Sequence, residues 1–345
     1  MQQKLLLLLL FPFYCVAQIP QYYSEIDFTA GGDDLKDQLS ELITVTHTTE
    51  LIYTPDVWNA LKQADLDPAN PENVLLIYGY NDADAVVSND RTRDKDLSCH
   101  TSSCNGLWVR EHVYPRSLGD PNLEFEGPGA DAHHLRAIDS QMNNSRSNRE
   151  FADGSGNAAV LSNGYFYPGD EWRGDVARMV MYMYLRYLDQ CEPTVVGMGT
   201  VTYSPFNDMP DIFLEWNQED PVSPYEANRN TVLQNMQGNR NPFIDNPYLA
   251  TMIWNGPVAQ DTWGLLRADA FAENKIVVYP TVTTGVVYVE NTTAVPVFTV
   301  YNNLGQEVQF SASQNMIDLG RNSKGIYHLM VQTGGISQSF KVILN

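Results

Sequence analysis

The chain has 345 residues, enough for two ordinary cores, and its formal charge of −21 argues against binding nucleic acid through a broad basic surface. Its four cysteines are too few for a zinc-cluster domain, and no HExxH or paired CxxC is present, so a structural zinc site is not expected. Beyond the N-terminus no apolar run approaches the roughly 20 residues of a membrane helix.

Residues 1–17 have the pattern of a signal peptide: Lys4, an apolar run from Leu5 to Val16, and small residues suited to cleavage before Gln18. Its removal leaves an exported, soluble chain with three cysteines. Residues 35–46 and 56–65 carry apolar side chains at helical spacing, the first run with a cap near Asp33 or Asp34. Residues 73–80, NVLLIYGY, read as a strand, and the charged run 82–96 as a loop. Cys99 and Cys104 enclose four residues, a spacing that can close a small disulfide in an oxidising compartment. Cys191 reads as a buried thiol.

Residues 107–151 concentrate the chemically capable side chains, with three of the six histidines, five arginines and seven acids. Residues 108–114 read as a short strand stopped by Pro115. Glu111 and His112 point to opposite faces of such a strand and can reach one site only where it bends or ends. The turn-rich run 119–129 allows a return strand near residues 132–135. Asp139 can cap a following helix bearing Met142, Asn143 and Arg146, with the last two on one face.

These residues resemble the endonuclease I family of secreted ββα-metal (His-Me finger) nucleases. The resemblance rests on Glu111-His112-Val113-x-Pro115-x-Ser117, Asp131-x-His133-x-Leu135 and Asn143-x-x-Arg146-x-Asn148-x-x-Phe151. It continues in residues 174–178, GDVAR, and 238–245, GNRNPFID. It implies that His112 is the general base that activates water, and that Glu111 and Asn143 hold one divalent metal, Mg²⁺ before Mn²⁺ or Ca²⁺. The residue types suit phosphodiester hydrolysis: imidazole titrates near neutrality, and oxygen ligands hold a hard cation. His133 and His134 are implied to hold the motif together by hydrogen bonds. Arg146 is either a phosphate clamp or an ion-pair partner. Arg116, Arg136, Asn148 and Arg240 are further substrate-binding or supporting candidates. In some relatives a transition-state arginine lies between the two motif strands; residues 119–129 contain no Arg or Lys, so that role is not carried over.

Residues 174–189 read as a long helix with a Met-rich core face, in which Asp175 and Arg178 can pair; residues 212–217 and 225–236 are further helices. Residues 238–247 read as an extended loop in which Arg240 and Asn241 either line a groove or satisfy loop backbone. From Ile276 onward short β-rich runs (IVVY, VVYVE, VFTVY, EVQF, GIYHLMVQ, SFKVIL) indicate a small antiparallel sandwich. Val278-Tyr279-Pro280, Tyr301-x-x-x-Gly305, Gly325-Ile326-Tyr327 and Lys341-Val342-Ile343 resemble the C-terminal sorting domain of type IX secretion, with Thr281 where the pattern has Asn. Residues 272–345 hold four acids and four bases, so the acidic excess lies upstream.

The expected architecture is α+β: a signal peptide (1–17), a mainly helical catalytic domain around a ββα-metal core (18–270), and an all-β sorting sandwich (271–345). The expected activity is a secreted, metal-dependent, largely nonspecific endonuclease acting on DNA and RNA. Its expected partners are nucleic acid and the type IX machinery, and its expected state is a monomer. The alternative is a non-catalytic surface adhesion protein on a nuclease-like scaffold, although Glu111, His112 and Asn143 are all retained. A metal-dependent protease or small-substrate phosphoesterase lacks the recurrent His/Asp clusters such sites use.

Overall fold

A computed structural model describes residues 19–101, 103–266, 276–290, 292, 295–333 and 336–345. The expected signal peptide lies outside the described residues. The chain divides into two compact units, one up to Gly264 and one from Leu265.

In the first unit, helices α1 (Gly32–Val45) and α2 (Asp56–Ala64) bury Leu35, Leu39 and Ile43, and Val57, Trp58 and Leu61. They form where helical spacing placed them, although α1 starts from Gly31 and carries Asp33 and Asp34 in its first turn. Strands β1 (Leu66–Asp67), β2 (Asn70–Leu75) and β3 (Thr92–Asp94) make a small sheet in that order. Two expectations are corrected here. The strand expected over 73–80 ends at Leu75, because the backbone turns and Tyr78 adopts φ 67°. The charged run 82–96, read as a loop, supplies β3, whose Arg93 is buried and paired with Asp90 and Asp139.

Strand β4 (Trp108–His112) pairs antiparallel with β5 (Leu135–Asp139), and α3 (Ser140–Arg146) follows directly. Asp139 caps α3 as expected, its Oδ1 accepting from the backbone N–H of Gln141 at 2.7 Å and Met142 at 3.1 Å. The return strand runs three residues later than expected over 132–135. Residues 131–134 are held by side chains instead of a partner strand, as described below. Cys99 and Cys104 are bridged, with Cα atoms 5.3 Å apart, and the Ser140 hydroxyl at the start of α3 donates to the Cys104 carbonyl at 2.5 Å. Cys191 is a buried free thiol.

After the short pair β6 (Ala159–Val160) and β7 (Phe166–Tyr167) come α4 (Arg173–Tyr187), α5 (Asp211–Glu219) and α6 (Pro224–Gln237). Helix α4 is buried from Gly174 to Leu185, including the Met-rich face. Helix α6 buries Glu226, Arg229, Asn230 and Gln237 beside Leu233, a largely polar stripe at helical spacing. Gly238 ends α6 in the left-handed region at φ 95°, where a Cβ would meet the Thr46 carbonyl oxygen at 2.3 Å. Within the expected loop 238–247 the chain makes a helical turn, α7 (Pro242–Asp245), because Asn241 caps it through Phe243 N–H and Pro242 occupies its first position; α8 (Tyr248–Trp254) follows.

The polar stripe of α6 grips the motif. Arg229 Nε donates to Asp65 Oδ1 at 2.8 Å, and its Nη2 donates to the carbonyls of Ala132 at 2.7 Å and Leu135 at 2.6 Å. Asp65 Oδ2 accepts from Ala137 N–H at 2.7 Å, so the pair grips the edge of β5 that faces away from β4. Arg136 lies 3.4 Å from the same carboxylate and donates to Asp175 at 2.9 Å and to the Tyr225 hydroxyl at 2.8 Å. Arg178 makes a two-pronged contact with Glu226 at 2.6 and 2.7 Å.

The second unit is a sandwich. One sheet has the order β12 (Ser311–Ser313), β13 (Met316–Asp318), β10 (Val286–Glu290), β8 (Val277–Tyr279); the other has β11 (Val297–Asn302), β14 (Gly325–Thr333), β15 (Ile336–Leu344), β9 (Val282–Thr283). Alternate residues such as Val287 and Val289, and Tyr327, Leu329 and Val331, point into its core. The expected all-antiparallel pairing is corrected at β9, which runs parallel to β15, and the EVQF run contributes only a bridge between Glu307 and Tyr301.

Removing one partner of a buried, hydrogen-bonded ion pair costs about 3–5 kcal/mol. Arg229→Ala is expected to destabilise the first unit by that much, measured by urea unfolding with tryptophan fluorescence. All six tryptophans lie at or before Trp263, so the signal reports this unit. A loss below about 1 kcal/mol would contradict the role given to Arg229.

Candidate active site

Strand β4 ends at His112, and Pro115 turns the chain away. At that end Glu111, His112, Arg116, Asn143 and Asn148 line one open, polar cleft of about 480 Å³, together with Arg110, Pro115, Ser117 and Ser147. Five of the site candidates therefore share one surface.

His112 is half-buried, and its Nε2–H faces the Gly129 carbonyl oxygen at 2.9 Å. A carbonyl can only accept, so this contact fixes the proton on Nε2 and leaves the Nδ1 lone pair without a protein partner among the described residues. Burial lowers the His112 pKa well below its ordinary value, and His134, Arg116 and Arg110 act the same way against the opposing Gly129 contact. The ring is neutral at neutral pH and able to take a proton.

Glu111 is buried, and burial pushes its carboxyl up to about 7 despite the Arg146 guanidinium and the Tyr78 hydroxyl. Both contacts fall on Oε1, Arg146 Nε at 3.2 Å and Tyr78 O–H at 3.3 Å, and Oε2 has no hydrogen-bond partner among the described residues. Asn143, on α3, is half-buried, and its side-chain amide makes no hydrogen bond among the described residues. A desolvated carboxylate with one unused oxygen and a free amide oxygen on one cleft fit a hard cation that keeps most of its waters. Among the described residues no group of three or more His, Cys, Asp or Glu gathers to hold a metal, at this cleft or elsewhere.

The other candidates sit behind this surface. Arg146 is fully buried: Nη2 donates to the Val113 carbonyl at 2.9 Å, Nη1 to the Ser147 carbonyl at 2.8 Å, and the guanidinium lies 4.5 Å from the Phe151 ring. Arg146, expected as a phosphate clamp or an ion-pair partner on the helix surface, is instead buried and paired with Glu111 at 3.2 Å. Arg136 is equally buried in the Asp65 and Asp175 network. Arg240 is engaged with Asp245 at 2.6 Å and with Gln234, so the groove reading is corrected: its charge is spent on a neighbour that α7 presents. Asn241 likewise turns inward, its amide donating to the Arg178 carbonyl at 2.9 Å.

His133 is buried within a network around Asp131, which accepts from Gln237 at 2.9 Å, Tyr182 at 2.7 Å and Tyr187 at 2.9 Å. His133 Nε2 faces the Asn239 carbonyl at 3.2 Å, and His134 Nε2 the Pro128 carbonyl at 2.8 Å. The His134 ring packs 5.5 Å from that of His112, and its carbonyl accepts from Val113 N–H at 3.1 Å. These contacts fix the strand end on which His112 stands. Sequence reasoning missed Tyr78 and Gly129. Gly129 carries the signal of its own close packing, since a Cβ there would lie 1.5 Å from the Glu124 carbonyl oxygen. Arg116 lies between β4 and β5, ahead of the run 119–129 in which an inter-strand arginine was sought.

A neutral imidazole with a fixed tautomer, beside a desolvated carboxylate and a free amide on an open polar cleft, is the equipment of a hydrolase for an anionic ester. Residues 31–248 match the Endonuclease I family model, and the chain belongs to that family. Residues 277–345 match a secretion system C-terminal sorting domain, the type IX sorting module. An "Extracellular ribonuclease" of Bacillus subtilis (strain 168) is 39% identical over 236 residues, 65% of this chain and 75% of that protein. An "Extracellular ribonuclease" of Bacillus amyloliquefaciens is 37% identical over 253 residues, 69% of this chain and 79% of that protein. The protein is a secreted nuclease, a phosphodiester hydrolase that works at the cell surface or beyond it. No helix among the described residues is long and apolar enough to cross a membrane.

Burial also holds His133 and His134 down at about 4, against an ordinary 6.5. The unfolded chain binds these protons first, so the stability that each ring's neutral form contributes is complete above pH 6.5 and is lost as pH falls towards 4. Raised carboxyls such as Glu111 push the other way, so the comparison is with a variant. The stability deficit of His134→Gln relative to wild type should shrink by about 2–3 kcal/mol between pH 7.5 and 4.5, followed by tryptophan-monitored unfolding. A deficit independent of pH would show that the ring is not buried neutral.

Proposed function

We propose that the cleft is the active site of a metal-dependent endonuclease with little sequence preference, cutting both RNA and DNA. His112 is its general base, and Glu111 and Asn143 are its metal ligands. The observation that carries the reading is the His112 to Gly129 contact, which leaves Nδ1 as the one proton acceptor of the ring and turns a strand-end histidine into a base. The RNA part draws on the ribonuclease names of the two Bacillus relatives, and the DNA part on the family resemblance.

In this mechanism Nδ1 of His112 takes a proton from a water that attacks the scissile phosphorus, while Nε2–H stays on the Gly129 carbonyl and keeps the ring oriented. Glu111 Oε2 and Asn143 Oδ1 hold a divalent cation, Mg²⁺ as the best fit to an oxygen donor set with few protein ligands and Mn²⁺ or Ca²⁺ as substitutes. When bound, that ion stabilises negative charge on the phosphate and on the leaving oxygen. Arg146 opposes the burial that raises the Glu111 carboxyl and aims it from behind, and the low pKa of His112 lets it act without first shedding a proton. Arg116 and Asn148, at the mouth of the cleft, contact the phosphate backbone.

Supercoiled plasmid should be nicked and linearised in Mg²⁺ and left intact in EDTA. His112→Ala should lower the rate by about 10²- to 10⁴-fold with unchanged unfolding in urea. Cleavage by that variant within tenfold of wild type would remove His112 from the chemistry, and full activity in EDTA would remove the metal.

A further inference from the structure

Beside the cleft, joined to it through His112 and Arg116, stands an aromatic stack that the hydrolytic chemistry does not use. The Tyr53 ring lies nearly parallel to that of His112, with centroids 5.4 Å apart and 21° between planes, and Phe125 packs on Tyr53 at 4.9 Å. Phe125 is nevertheless 51% exposed. Two guanidiniums bracket the stack, Arg110 at 3.5 Å from the Tyr53 centroid and Arg116 at 3.7 Å from the Phe125 centroid.

Of the motif's five arginines, these two line the cleft, and neither is paired with a buried carboxylate. Arg136 and Arg146 are buried against carboxylates. Arg110 donates to the Tyr53 carbonyl and to the Thr54 hydroxyl, and Arg116 Nε donates to the Leu123 carbonyl at 2.6 Å, with the exposed Glu124 carboxylate no nearer than 3.9 Å. The stack therefore offers a half-exposed aromatic ring, flanked by positive charge and joined through Tyr53 to the His112 ring that borders the cleft.

A chain of charge −21 gains little from long-range attraction to a polyanion, so local contacts have to hold the strand. Stacking of a base on an exposed ring is such a contact and tolerates any sequence, because every base has a π-face. A base inside a duplex is already stacked on its neighbours and cannot reach a side-chain ring. We propose that Phe125, backed by Tyr53 and bracketed by Arg116, receives an unpaired base of the strand being cut, which makes single-stranded or locally unpaired nucleic acid the preferred substrate. This inference rests on reading the cleft as the hydrolytic site.

The test uses the full-length protein in EDTA, where there is no turnover, and fluorescence anisotropy of three labelled probes: an oligothymidylate of about 20 nucleotides, a strand of equal length with abasic linkers in place of bases, and a blunt duplex. Wild type should bind the base-bearing strand at least about tenfold more tightly than the other two, and Phe125→Ala should bring that ratio close to one through a loss of about 5- to 100-fold. Phe125→Trp should restore it. In Mg²⁺ the alanine variant should raise KM for the single strand while kcat changes little. A wild type that does not distinguish base-bearing from abasic strands, or an alanine variant that binds the single strand as tightly as wild type, would overturn the platform. An equal loss on the duplex would also overturn it, by indicating a wedge between paired bases. A wild type that binds as expected but cuts nothing in Mg²⁺ would contradict the hydrolytic reading, so the two failures are separable.

Discussion

The guanidinium of Arg229 is the contact on which the rest of the first unit depends. From one turn of α6 it neutralises Asp65 after α2 and accepts the task of binding the backbone carbonyls of Ala132 and Leu135, where no strand partner is available. The planar fork of donors makes this possible, and a lysine in its place would offer no matching geometry. Asp65 returns the constraint by accepting from Ala137 N–H. Two segments far apart in the chain thereby set where β5 begins, and with it the position of His134 beneath the His112 ring.

The same economy of charge explains how an acidic protein handles a polyanion. Arginines near the site are mostly consumed in the interior: Arg136 by Asp65 and Asp175, Arg146 by Glu111, Arg178 by Glu226. Each of these carboxylates thus has a partner, and Glu111, whose carboxyl burial still raises to about 7, keeps Oε2 free for the proposed cation. In the proposed mechanism attraction to phosphate comes from the ion and from Arg110 and Arg116 at the cleft, which suits surroundings where salt screens long-range steering.

Much of this was legible in the sequence wherever a local rule settled the outcome. Apolar spacing placed α1, α2 and α4, the Asp139 cap placed α3, and the strand before Pro115 was legible, although it ends at His112, two residues short of the expected 108–114. The pairing of Cys99 with Cys104 and the burial of Cys191 also followed from spacing and context. What escaped was set by partners distant in the chain. The return strand starts at Leu135 because Gln237 and Arg229 occupy the backbone of 131–135. Strand β3 is polar because its Arg93 serves Asp139 instead of an apolar core. Arg240 turns to Asp245 because Asn241 and Pro242 start a helical turn that no apolar period announces. The inward stripe of α6 is polar, so a reading based on apolar faces finds the helix but not its purpose.

The central claim is that Glu111 and Asn143 form the metal site while His112 stands beside it without being a ligand. Electron paramagnetic resonance of Mn²⁺ titrated into the full-length protein tests this most directly. Wild type should bind one ion per chain, Glu111→Gln and Asn143→Ala should lose it or weaken it by at least about tenfold, and His112→Ala should keep it. Undiminished Mn²⁺ binding by Glu111→Gln, or its loss in His112→Ala alone, would contradict the account.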